Sequence, residues 1–148
     1  MIAFEFKILL HLKLMDPKRR FEKTNQIIEE LIECVEKENS LIVVEGKRDL
    51  ESLISLGIEK NKILMISQTP DYFLREYLLE NNFTTIIDML DSDKEGRKMS
   101  ERLESTLSFV KIEKRFKKLT KLLNTAFVED YAKSYSKIKE NLTSFIYV

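Results

Sequence analysis

Residues 41–49 read Leu41-Ile42-Val43-Val44-Glu45-Gly46-Lys47-Arg48-Asp49, and the fold turns on this stretch. Four apolar residues in a row, three of them β-branched, show no alternation with polar ones. Such a run predicts a strand buried on both faces, as in a parallel sheet covered by helices. A carboxylate and a glycine follow at once, at the carboxyl end of the strand, where open α/β sheets place their sites.

Working outward, the same alternation of strand and helix continues. Upstream, Phe21, Ile27, Ile28, Leu31, Ile32 and Val35 keep helical spacing among charges, predicting an amphipathic helix over 20–37 that Glu38-Asn39-Ser40 ends. Downstream, a short helix from Asp49 to Leu56 is closed by Gly57, and Lys62 to Ser67 gives a second strand before a turn at Gln68-Thr69-Pro70. A helix from Asp71 to Asn81, a third strand from Thr84 to Leu90, and a helix from Glu95 to Leu107 follow, with a brief fourth strand around Phe109 to Ile112. The remainder reads as helices over Glu113 to Asn124 and Val128 to Asn141, before the apolar tail Phe145-Ile146-Tyr147-Val148. The expected fold is α/β, a parallel sheet of about four strands flanked by helices. Residues 40–112 would form this domain, 1–39 an N-terminal extension, and 113–148 a helical segment packed on the same domain.

Within the extension, Ile2, Phe4, Phe6, Ile8, Leu10, Leu12 and Leu14 occupy every second position, which is a strand pattern over 2–14. Two readings stand side by side: an added edge strand, or a stretch preceding the true start, since Met15-Asp16-Pro17 would open the next helix naturally. Glu5, Lys7, His11 and Lys13 interrupt the apolar residues, so neither a signal segment nor a membrane span is expected.

A chain of 148 residues with 43% apolar composition suits one domain with one core. Its 25 basic and 25 acidic residues cancel, so any nucleic-acid footprint has to be local. The single cysteine, Cys34, sits in a helical apolar pattern and supports no disulfide framework, which fits a reducing, cytoplasmic setting. Cys34 and the lone His11 are read as structural.

The chemistry lies in carboxylates. Glu45 follows one strand, and Asp91 and Asp93 follow another, so the alternating architecture can bring all three to one sheet edge. Close carboxylates repel unless a cation intervenes, and hard oxygen donors suit Mg²⁺ or Mn²⁺. Asp91-Ser92-Asp93 alone would ordinarily be a solvated loop or a helix cap; Glu45-Gly46 at a second strand end reverses that balance. Gly46 also permits close backbone approach, although a plain turn is its ordinary use. Rival motifs fail: a phosphate loop needs glycine where Leu41 stands and Ser or Thr where Arg48 stands. A calcium-binding loop opening at Asp91 and running through Asp93, Glu95 and Gly96 ends on Arg102 in place of a bidentate Glu.

Val43-Val44-Glu45-Gly46-Lys47-Arg48-Asp49 and Asp91-Ser92-Asp93-Lys94-Glu95-Gly96-Arg97 resemble, in order and separation, the two motifs of the Toprim domain. That domain occurs in topoisomerases, bacterial-type primases, recombination-repair proteins, overcoming-lysogenization-type nucleases and the ribonuclease that matures 5S ribosomal RNA. The form here is most similar to small stand-alone archaeal Toprim proteins, and more distantly to the ribosomal RNA maturase. The resemblance covers about residues 40 to 112. It implies that Glu45 is general acid or base and metal ligand, that Asp91 and Asp93 hold Mg²⁺, and that Glu95 matches an additional acidic position of topoisomerases. Two departures are Leu90, where relatives commonly carry Thr, and Asp88 inside an otherwise apolar strand.

The resulting expectation is a Mg²⁺-dependent nuclease or phosphotransfer enzyme acting on RNA or DNA; the alternative is a non-catalytic metal-binding module for nucleic acid or assembly. Lys47 and Arg48 are phosphate-binding candidates, or else solvated residues at a helix start. Lys111, Lys114, Arg115, Lys117, Lys118 and Lys121 predict a basic outer helix face over a stripe of Ile112, Phe116, Leu119, Leu122 and Leu123, and Lys18, Arg19, Arg20 and Lys23 a second basic patch. Tyr131 and Tyr135 are read as packing residues. Strand-gating and primase activities are disfavoured, since no nucleophilic-tyrosine motif, zinc-binding domain or larger polymerase region is visible.

Overall fold

The structure, a computed structural model, describes residues 16–147, with side chains through residue 142. The strand expected over 2–14 and the side chains of the apolar tail lie outside the described residues. Helix α1 (Pro17–Lys37) starts three residues earlier than the apolar periodicity indicated, because Asp16 caps it: its Oδ1 accepts the Lys18 N–H at 2.9 Å, and Pro17 sits at the first helical position.

Strand β1 (Ser40–Val44) is fully buried. Successive side chains point to opposite faces, so the single apolar run serves two cores. Leu41 and Val43 pack with Leu74, Leu78, Phe83, Ile86, Leu103 and Leu107 on one face. Ile42 and Val44 pack with Ile27, Leu31, Leu53, Phe116, Leu119 and Tyr131 on the other. This is why the run shows no polar alternation.

Helix α2 (Lys47–Ser55), strand β2 (Ile63–Met65), helix α3 (Asp71–Glu80), strand β3 (Thr85–Asp88), helix α4 (Lys94–Thr106) and strand β4 (Lys111–Glu113) follow. Among the described residues all sheet pairings are parallel and the strand order is β2-β1-β3-β4. Leaving β1, the chain goes first to one side, at β2, and then returns to the other, at β3. The crevice at the carboxyl ends of β1 and β3 is therefore the topological switch point of the sheet, where such folds bind ligands. Register places Val43 opposite Asp88, so Glu45 and Asp91 emerge a short step beyond neighbouring strands.

Past β4 the structure departs from the expected helix over 113–124. Lys111–Glu113 is strand, Arg115–Lys118 is a 3-10 turn, and only Leu119–Leu123 is α-helix, here α5. Asn124 ends α5 in the left-handed region at φ 52°. A 3-10 turn at Val128–Asp130 leads into α6 (Tyr131–Tyr147), which packs on α1 and α2. The apolar stripe holds, with Phe116, Leu119, Leu122 and Leu123 buried.

Lys117, however, does not belong to the outer basic face. Its Nζ turns inward to Asp88 Oδ1 at 3.2 Å and Ser100 Oγ at 3.0 Å. Asp88 is fully buried, and its Oδ1 also accepts the Leu90 N–H at 3.0 Å. A carboxylate so placed needs a cation, and the 3-10 turn delivers one. Arg20 likewise leaves its patch to donate from Nε to the Leu122 carbonyl at 2.8 Å. Tyr131 is buried and Tyr135 stacks on Phe21 with centroids 5.9 Å apart, so both pack. Among the described residues, no helix is long and apolar enough to cross a membrane.

Candidate metal centre

Three short segments meet at the switch point. β1 ends into Glu45, whose carbonyl accepts the Ser67 N–H at 3.1 Å and so ties the turn to the end of the neighbouring strand. Gly46 opens α2, and its N–H donates to Asp49 Oδ2 at 3.0 Å, folding Asp49 back toward the strand end. β3 runs out through Met89 and Leu90 to Asp91.

One carboxylate oxygen from each of Glu45, Asp49 and Asp91 lies within 4.8 Å of the other two. Asp49 and Asp91 are buried and Glu45 is half-buried. Asp49 is the member that sequence reasoning left unassigned. It was quoted in the motif, and its place four residues after Glu45, across a glycine at a helix start, was the available signal.

The expected site residues are thus distributed unevenly. Asp93 stands outside the trio as the N-cap of α4, with Oδ1 accepting the Gly96 N–H at 2.8 Å; its charge still acts on Glu45 and Asp91. Glu95 is exposed on the first turn of α4 and also acts on Glu45 through its charge. Lys47 and Arg48 are exposed on the first turn of α2, beside the trio.

Gly96 fixes how closely α4 approaches the loop. A Cβ there would fall 1.9 Å from the Asp91 carbonyl oxygen and 2.6 Å from its carbon, so no side chain fits. Gly46 is the opposite case: its backbone is extended and a Cβ would meet nothing within 4 Å. Among the described residues no close approach requires that glycine, and the space in front of it is open to them.

Electrostatics agree with the crowding. Burial holds the Asp91 carboxyl up at about 6, reinforced by the charges of Asp49, Glu45 and Asp93 and opposed by the Val128 N–H. Asp49 is raised by burial, although backbone N–H groups favour its ionised form. Glu45 is raised by burial and then by Asp49, Asp93 and Glu95, while a hydrogen bond with Asp91 pulls it back. The donor set, all carboxylate oxygen and partly buried, fits a hard divalent cation.

The sequence profile of the Toprim-like family matches residues 42–126, more than half of the chain and past the end of β4. The chain is 39% identical over 83 residues to a UPF0292 protein of Methanocaldococcus jannaschii, covering 56% of this chain and 62% of that one. It is 34% identical over 87 residues to a UPF0292 protein of Pyrococcus furiosus, covering 59% and 61%. The matched stretch thus spans about three-fifths of each relative's length. A solved structure of a protein from Aquifex aeolicus superposes with a TM-score of 0.62 at 22% identity, covering 71% of this chain and 94% of that one, which shows the shared fold.

Proposed function

Starting from a chain that belongs to the Toprim-like family, we propose a Mg²⁺-dependent phosphodiester-cleaving or phosphotransfer function on RNA or DNA, centred on Glu45, Asp49 and Asp91. The observation that carries this reading is the convergence of the three carboxylates within 4.8 Å at the switch point of the sheet.

In this reading Glu45, Asp49 and Asp91 hold the cation, and Asp93, the cap of α4, adds its negative charge to the same centre. Mn²⁺ suits the same donors. The bound cation supplies neutralisation of phosphate oxygens and of charge that develops in phosphoryl transfer. Glu45, the most exposed of the trio, stands where it can take or deliver a proton at its carboxylate oxygen. Lys47 and Arg48 project from the start of α2 and offer cations to a phosphate approaching over the open face of Gly46. Lys94, Arg97 and Lys98 extend this exposed basic rim along α4, with Glu95 among them. The basic residues after β4 contribute Lys118 and Lys121 at a second exposed site.

The test is a screen of structured RNA, single-stranded nucleic acid and supercoiled DNA with Mg²⁺ or Mn²⁺, comparing the unaltered chain with Glu45→Gln and Asp91→Asn. Metal-dependent cleavage lost in both variants supports the enzyme. Nucleic-acid binding that survives Glu45→Gln, with no turnover by the unaltered chain, supports a binding module in its place. Equal activity in all three proteins removes these residues from the reaction.

A further inference from the structure

Residues 126–132 cross the carboxylate site as a strap, and three of its backbone groups, the Ala126 carbonyl and the Val128 and Ala132 N–H groups, are spent on elements that carry the trio. The Ala126 carbonyl accepts the Ser92 N–H at 2.9 Å, next in chain to Asp91. The Val128 N–H donates to Asp91 Oδ1 at 2.8 Å, and this bond is buried. The Ala132 N–H donates to Ser52 Oγ at 3.1 Å, on the helix that bears Asp49. One proposed ligand, Asp91, and the helix that carries a second, Asp49, are therefore gripped by main-chain groups of one short segment far along the chain.

That segment is itself pinned by side-chain hydroxyls. Tyr131, buried, places its OH 2.7 Å from Thr120 Oγ1, and Thr120 Oγ1 lies 3.1 Å from Ser92 Oγ. The chain Ser92–Thr120–Tyr131 links the Asp91 loop, α5 and the start of α6 without touching a carboxylate. Three hydroxyls in series polarise one another and orient their rotors, tying the start of α6 to the Asp91 loop through Thr120.

We infer that Thr120 and Tyr131 are positioning residues for the metal centre, acting through the strap that aims Asp91 and Asp49 at a divalent cation. The inference rests on the metal-centre reading above and adds to it that cation binding and seating of residues 126–132 are one event. Groups that orient ligands govern affinity as well as the ligands themselves do. Reciprocally, a cation that draws Asp91 and Asp49 into its shell holds the Val128 amide in its bond.

The experiment uses the full chain and Mn²⁺ alone, with Thr120→Val, Tyr131→Phe and Thr120→Ser. Affinity is measured by titration calorimetry well below the melting temperature, and exchange of the Val128 amide by hydrogen-deuterium exchange with and without Mn²⁺. The expected result is binding roughly tenfold weaker in Thr120→Val and Tyr131→Phe, the low end for loss of an outer partner. Thr120→Ser should bind like the unaltered chain, and Mn²⁺ should slow Val128 exchange less in the two weakened variants. If both variants melt lower yet bind Mn²⁺ as tightly as the unaltered chain, the hydroxyls only hold the fold and the coupling is overturned while the metal centre stands. If the unaltered chain binds no Mn²⁺, the metal centre itself is refuted and the coupling with it.

Discussion

Replacing Gly96 by Ala tests how the centre is built. On an exposed helix the change would stabilise by about 1 kcal/mol through helix propensity. Here the added methyl carbon would lie 1.9 Å from the Asp91 carbonyl oxygen and 3.0 Å from its Cα. A carbon and an oxygen settle near 3.3 Å, so one backbone has to retreat by more than about 1 Å. Neither is free to do so. The Asp91 loop is fastened by the Ser92 and Val128 bonds, and α4 is capped by Asp93. Overpacking costs typically about 1–3 kcal/mol, and a backbone obstacle belongs at the upper end, so a net loss of roughly 2 kcal/mol remains after propensity is set against it. For a domain of this size that lowers Tm by roughly 4–8 °C. An Asp91 displaced by 1 Å also leaves the trio, so Mn²⁺ affinity should fall by more than about tenfold. Thermal melting and calorimetric titration of Gly96→Ala read both quantities. A variant that melts at or above the parent temperature and binds Mn²⁺ equally would refute the close approach and the reasoning built on it.

Three further outcomes are expected. Gly46→Ala should lower Tm by no more than about 4 °C, the cost of alanine for glycine at a helix N-cap, because its backbone is extended and its Cβ meets nothing, so a larger loss of substrate binding in that variant reports an approaching ligand. Asp91, raised by burial from 3.8 to about 6, makes the metal-free fold more stable when protonated; that contribution is present below about pH 4 and is lost as pH rises through 6. The shift corresponds to roughly 3 kcal/mol. Urea unfolding in chelator should therefore show the parent losing stability relative to Asp91→Asn between pH 4 and 7, and parallel curves would contradict it. Lys117→Met strands the buried Asp88 carboxylate and should cost about 3 kcal/mol, much of it regained in the Asp88→Asn, Lys117→Met double variant. Additive losses in that cycle would show that the two groups do not act as a pair.

The sheet was legible because β1 announces its burial on both faces, and the two acidic motifs announce the strand ends. The position of Asp91 followed from those alone. Asp49 was harder to read, because a carboxylate in the first turn of a helix is ordinarily a dipole partner facing water; only the Gly46 N–H bond turns it toward Glu45. Asp88 and Lys117 were opaque separately, since one resembled a flaw in a strand and the other a surface charge, and their pairing spans 29 positions of chain that only the β3–β4 register brings together. The helix expected over 113–124 forms only at Leu119–Leu123, because Glu113 still pairs with β3 and Arg115–Lys118 tightens into the 3-10 turn that delivers Lys117 to Asp88. The strap was invisible to pattern reading, because its role lies in backbone N–H groups, which carry no residue signature.

The most direct measurement is Mn²⁺ binding by titration calorimetry to the unaltered chain and to Glu45→Gln, Asp49→Asn and Asp91→Asn. The account predicts saturable binding by the unaltered chain that weakens at least tenfold in each variant, Asp49→Asn included. Binding that is absent from the unaltered chain, or that persists undiminished when Asp49 and Asp91 are both neutralised, would contradict it.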